Sequence, residues 1–136
     1  MSNSKGVFER ARQRWHIGTI FMCRKLGRGA SRALQVAGLL REYASREKFF
    51  EPNGGLVTFT GLDFLAILCG ANEKTIRRAM ADLEKIGAVK TQHRFENSNL
   101  YWLTTTPDAQ THLAKCDRLI EERRKARKKR RSQVSN

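Results

Sequence analysis

The twenty residues LDFLAILCGANEKTIRRAMA, running from Leu62 to Ala81, decide the fold. They read as two helices around a tight turn. Upstream, Thr60-Gly61-Leu62-Asp63 has the spacing of a capping box, in which the Thr60 hydroxyl and the Asp63 carboxylate satisfy each other's free backbone N–H groups. A short helix is expected from Gly61 to about Cys69. Gly70 permits the left-handed backbone that ends it. Asn72 is a strong N-cap, and a second helix follows over Glu73–Ile86. Its apolar residues Ile76, Ala79, Met80, Leu83 and Ile86 recur at helical spacing on one face, and Gly87 stops it.

Working outward, Leu56–Phe59 is a short strand candidate that follows the loop Pro52-Asn53-Gly54-Gly55. Downstream, Ala88–Phe95 and Leu100–Leu103 alternate as strands, with Glu96-Asn97-Ser98-Asn99 as the polar tip of a hairpin. Tyr101 and Trp102 point to opposite faces of their strand, so at least one of them is core. A first helix is expected over residues 5–26, with Phe8, Ala11, Trp15, Met22 and Leu26 along a stripe that Ile20 and Phe21 widen. Ser31 caps a further helix to about Glu47, with Leu34, Ala37, Leu40 and Ala44 on one face. Thr106-Pro107-Asp108 starts a last helix. Its stripe Ala109, Leu113, Cys116, Ile120 fades into a basic segment, and the last five residues read as disordered.

Charge narrows the function. The chain has 136 residues, enough for one compact domain with extensions. Lys and Arg number 27 against 13 acids, a net charge of +14. Such an excess repels itself, so a polyanionic partner is its natural explanation. Cys23, Cys69 and Cys116 are far apart and lack metal-ligand spacing, so reduced buried thiols are expected. No cofactor and no metal site are expected. There is no phosphate-binding glycine loop and no nucleophile beside a base, so the chain does not read as an enzyme. His16 and His112 read as ordinary helix residues. The polar start is unlike a signal peptide, and no apolar run approaches the roughly 20 residues needed to span a bilayer. A cytoplasmic protein is the expectation.

From Leu62 to Ala81 the sequence resembles the helix-turn-helix core pattern. Ala66 stands at the fifth position, Gly70 at the ninth, and Leu65, Cys69, Ala71, Ile76 and Ala79 at the apolar ones. The hairpin after Gly87 is similar to the wing of winged-helix proteins. The resemblance covers roughly residues 31–104 and is closest to winged helices of bacterial, plasmid and phage regulators and replication proteins. It implies a mainly α fold with a small β-hairpin wing. A winged helix-turn-helix over 31–104 would carry an N-terminal helix over 1–30 and a basic helix and tail over 105–136.

The function it implies is sequence-specific binding of double-stranded DNA, by a transcriptional regulator or a protein of plasmid or mobile-element maintenance. A recognition helix offers its exposed face to the major groove. Here that face carries Asn72, Glu73, Lys74, Thr75, Arg77, Arg78 and Ala81. Arg77 or Arg78 suits a bidentate contact to guanine, Thr75 a thymine methyl or phosphate, and Lys74 a phosphate. Lys90, His93 and Arg94 are placed to approach the DNA backbone or minor groove from the wing. In the tail, Arg123, Arg124, Arg127 and Lys128 add phosphate attraction that ignores sequence. The bland alternative is that Arg77 and Arg78 merely form a solvated face or pair with Asp82 and Glu84. One recognition helix reads only a short site, so a homodimer is expected. The first helix is the leading dimer candidate and Ala109–Ile120 the second; each is as well suited to covering the core. An RNA-binding module and a protein-interaction adaptor in a replication or partition complex are the alternatives.

Overall fold

The computed structural model describes residues 3–45, 55–94 and 99–134. Among them the chain forms a mainly helical α+β fold. Helix α1 (Asn3–Cys23) leads through a short 3-10 segment (Arg24–Gly29) into α2 (Ala30–Glu42). Strands β1 (Ala44–Ser45) and β2 (Leu56–Thr58) precede α3 (Leu62–Cys69) and α4 (Glu73–Lys85). Strands β3 (Val89–Gln92) and β4 (Leu100–Leu103) follow, and α5 (Pro107–Val134) closes the chain. The strands make one antiparallel sheet in the order β1-β2-β4-β3.

The helical spacing in α4 is realised directly. Ile76, Ala79, Met80 and Leu83 are buried, and they meet Ala33, Val36, Ala37 and Leu40 of α2 and Leu65 and Ala66 of α3 in one core. The sheet adds Leu56, Val89, Tyr101 and Leu103. Alternation along β4 sends Tyr101 inward and leaves Trp102 on the outer face, where its indole donates to Gln92 Oε1 at 2.8 Å.

Most of the α1 stripe is spent inside the chain, although Ile20 stays half-exposed. Phe8, Trp15, Met22 and Cys23 are all 5% exposed or less. Helix α5 then packs antiparallel along the flank of α1. Lys25 pairs with Asp108 at 3.2 Å, and Arg14 grips Asp117 through two bonds of 3.0 and 3.1 Å. Gly18 allows the approach: a Cβ there would lie 3.2 Å from the Cβ of Ala109. Arg12, near the middle of α1, donates to the carbonyls of Arg41 and Glu42, the last residues of α2. These are the carbonyls a helix leaves unpartnered, and the cation also suits the negative end of the helix dipole.

Several expectations are corrected. The helix expected to reach Glu47 ends at Glu42, because Ala44 and Ser45 pair with Thr58 and Val57 instead. Residues 46 and 47 lie outside the described residues. Ser31 does not cap α2; the chain enters it from the 3-10 segment already in helical conformation at Gly29. The capping box does not form either. Thr60 is buried and its hydroxyl meets that of Thr58, which itself donates to Tyr43 O. Asp63 accepts instead from the N–H of Phe64. Strand β3 ends at Gln92, and Phe95 to Ser98 lie outside the described residues. Helix α5 runs through Ser132–Val134, in place of the expected disorder. Of the three thiols only Cys23 is fully buried.

His16 gives the α1–α2 contact a pH signature. Arg41 Nη1 lies 2.9 Å from His16 Nδ1, so that ring nitrogen must keep its lone pair. Burial first, and the Arg41 charge second, lower the His16 pKa from its ordinary 6.5. The folded chain therefore binds fewer protons here than the unfolded one. The contribution to stability is complete above pH 6.5 and is lost as pH falls through the lower folded value. Histidine titration by NMR should give His16 a midpoint below 6.5; a midpoint at or above it would mean that Arg41 does not hold the ring.

Candidate nucleic-acid interface

The site is built on how α3 hands the chain to α4. Helix α3 ends at Gly70, whose φ of +62° is the left-handed conformation that the sequence requires there. The N–H groups of Gly70 and Ala71 turn back to the carbonyls of Ile67 and Ala66. Asn72 then adopts an extended backbone, and its Oδ1 accepts from Thr75 N at 2.8 Å and from Thr75 Oγ1 at 2.9 Å. Asn72 and Thr75 are thus committed to starting α4. The cap uses Asn72 Oδ1 and the Thr75 hydroxyl proton; the Asn72 amide nitrogen and the Thr75 methyl take no part in it.

Burial of one side of α4 fixes what the other side presents. Glu73, Lys74, Arg77, Arg78, Ala81 and Lys85 are exposed. Lys74, Arg78, Ala81 and Lys85 follow one another at spacings of four, three and four, so they form a single outward stripe with Arg77 beside it. Lys85 is an addition to the residues expected from sequence, although the same spacing identifies it. Arg77 pairs with Glu73 one turn earlier at 3.9 Å, and not with Asp82 or Glu84. Both groups are more than half exposed, so this pair holds Arg77 only weakly. Glu84 is engaged elsewhere, accepting from the Thr91 hydroxyl and tying the hairpin to α4.

The hairpin residues divide. Lys90 is exposed on the outer face of β3, across from Trp102. His93 is exposed, with Nδ1 3.2 Å from Asn99 Oδ1. Arg94 is half-buried, its guanidinium 5.2 Å from the centre of the Phe59 ring, which holds it toward the β2–α3 connection. The hairpin tip itself, Asn97 included, lies outside the described residues.

The tail is not part of this cluster. Arg123, Arg124, Arg127 and Lys128 are all exposed on the second half of α5, which packs chiefly along α1 and not on α4. Arg124 has Glu121 at 3.9 Å. The outward face of α3 is unlike all of these surfaces. Phe64, Ile67 and Leu68 are exposed there, and α3 contains no cation.

No group of three or more His, Cys, Asp or Glu side chains among the described residues could hold a metal ion. No helix among them is long and apolar enough to cross a membrane. His112 lies flat on Phe21 with ring centres 4.0 Å apart, and its Nε2 is 3.3 Å from Cys116 Sγ. No family model, curated protein or solved structure matches the chain, so the geometry of α3, α4 and the hairpin stands by itself.

Proposed function

We propose that the chain is a winged helix-turn-helix protein that binds duplex DNA by sequence. In this reading α4 is the recognition helix and the β3–β4 hairpin the wing. One observation carries it. A helix buried along a single side, and joined to α3 through a tight glycine turn, presents Lys74, Arg77, Arg78 and Lys85 outward on a chain of net charge +14. Arginine forks match guanine O6 and N7, while the lysines match phosphate. Lys90 and His93 supply backbone contacts from the wing. Arg123, Arg124, Arg127 and Lys128 supply attraction without sequence preference. Control of transcription, or maintenance of a plasmid or other mobile element, is the role proposed with it.

Selection from a random duplex pool tests this reading, with structured RNA of equal charge as competitor at equal salt. A defined motif is expected in the bound duplexes. Preference for the RNA would make the chain an RNA-binding module. The apolar outward face of α3 favours one further reading, a protein-interaction adaptor: Ile67 there is 76% exposed. That reading predicts no affinity for duplex and a protein partner retained after Arg77→Ala and Arg78→Ala.

A further inference from the structure

Helix α5 is divided by charge. From Pro107 to Glu122 it carries four carboxylates (Asp108, Asp117, Glu121, Glu122) and two cations, Lys115 and Arg118. From Arg123 to Val134 it carries eight cations and no carboxylate. The boundary falls where the helix leaves the body of the protein. Ala109 and Leu113 are buried, but Leu119 and Ile120 are 47% and 49% exposed. Beside that boundary, α1 and α5 enclose an open groove of about 890 Å³. Its floor includes Ile17 and Ile120. Its rim carries both signs, with Glu9, Asp117 and Glu121 among Arg10, Arg14 and Arg124.

We propose that this face is the interface between two copies of the chain, with α5 laid antiparallel against α5 of the partner and centred on the turn Ile120–Arg124. A two-fold contact is reciprocal: if residue i meets residue j, then j meets i. Antiparallel pairing of a helix divided in this way sets the acidic half of each copy against the basic half of the other. On the face that Asp117, Ile120, Glu121 and Arg124 share, Glu121 opposes Arg124 of the second copy, twice over, while Glu122 and Arg123 turn away from that face. The two Ile120 side chains lie close to the axis, with the groove and its Ile17 beside them. Parallel pairing would stack eight cations on eight, which repulsion forbids.

Two other surfaces fit a second copy less well. Of the α1 stripe, the leading dimer candidate from sequence, Phe8, Trp15 and Met22 already belong to the core, while Ile20 is 48% exposed. The outward face of α4 carries mainly cations. The α5 face combines exposed apolar side chains with both charges in complementary order. Because its ion pairs are exposed, the association must weaken with salt.

The test uses the full chain free of nucleic acid, so its outcome does not depend on whether the chain binds DNA. Sedimentation equilibrium should show a dimer at low salt that dissociates as salt is raised. Two charge reversals then probe the pairing. Glu121→Lys with Glu122→Lys makes both halves basic; Arg123→Glu with Arg124→Glu turns the boundary acidic. All four side chains are exposed, so the helix should be retained, which circular dichroism checks. Each double variant alone should associate at least tenfold more weakly than the parent, and an equimolar mixture should recover a heterodimer. A parent that stays monomeric at every soluble concentration would overturn the proposal. So would variants that dimerise like the parent, or folded variants whose mixture stays monomeric.

Discussion

Trp15→Ala is expected to destabilise the protein by about 3–5 kcal/mol, the usual cost of emptying a buried aromatic site. Trp15 is 3% exposed. Its Nε1 donates to Ala88 O at 2.9 Å, across 73 residues of sequence. Ala88 is where α4 has ended and β3 begins: its N–H returns to Leu83 O, and its carbonyl also accepts from Thr104 N. One indole therefore packs α1 onto the junction that aims the hairpin relative to α4. At roughly 4 °C for each kcal/mol in a chain of this size, the thermal midpoint should fall by about 12–20 °C. Trp15→Phe separates the two contributions. It keeps most of the bulk and removes the donor, and Ala88 O retains Thr104 N, so its cost should be nearer 1 kcal/mol. An alanine variant that melts within a few degrees of the parent would mean that α1 is an appendage to the core.

That hydrogen bond also marks the limit of what is legible in the sequence. Local signals are readable wherever chemistry and geometry coincide within a few residues. Gly70 ends α3, Asn72 caps α4, and Thr106 Oγ1 accepts from Ala109 N at 3.1 Å to start α5. The stripe of α1 is equally legible, but its destination is not. Phe8, Trp15 and Met22 are suited to a partner chain or to a core, and only the position of Ala88 decides between them. Long-range pairing also overrides local preference at Ala44 and Ser45, where helical periodicity continues but β2 captures the backbone. Thr60 departs from expectation for the same reason. Its spacing to Asp63 fits a capping box, yet burial beside Thr58 turns its hydroxyl inward. In the candidate interface, Arg77, Arg78 and Lys74 follow from the buried face of α4. The turn of the Thr75 hydroxyl toward Asn72 Oδ1 depends on a side-chain rotamer, which spacing does not encode.

The double variant Arg77→Ala with Arg78→Ala should lose about 2–6 kcal/mol of affinity for the selected duplex, from a contribution of about 1–3 kcal/mol for each bidentate contact to a base. The folded state should hardly notice. Arg77 is exposed and pairs with Glu73 at 3.9 Å, and neither arginine belongs to the core face of Ile76, Ala79, Met80 and Leu83. The thermal midpoint is thus the internal control: affinity falls while melting stays put. Specificity should fall with affinity, because an arginine that reads guanine discriminates against the other bases at its own position. Lys74→Ala supplies the contrast. Removing a phosphate ligand there should weaken binding on every duplex alike and reduce the salt slope by about 0.9. If the double arginine variant behaves in that second way, with equal losses on all sequences, α4 grips the backbone without reading it. If it binds like the parent, the outward face of α4 is not the interface. Glu73→Ala sharpens the same question. Its carboxylate is the acidic group that Arg77 meets, and it would stand against the phosphates of a bound duplex. Removing it should raise affinity on all sequences while leaving discrimination with Arg77 and Arg78.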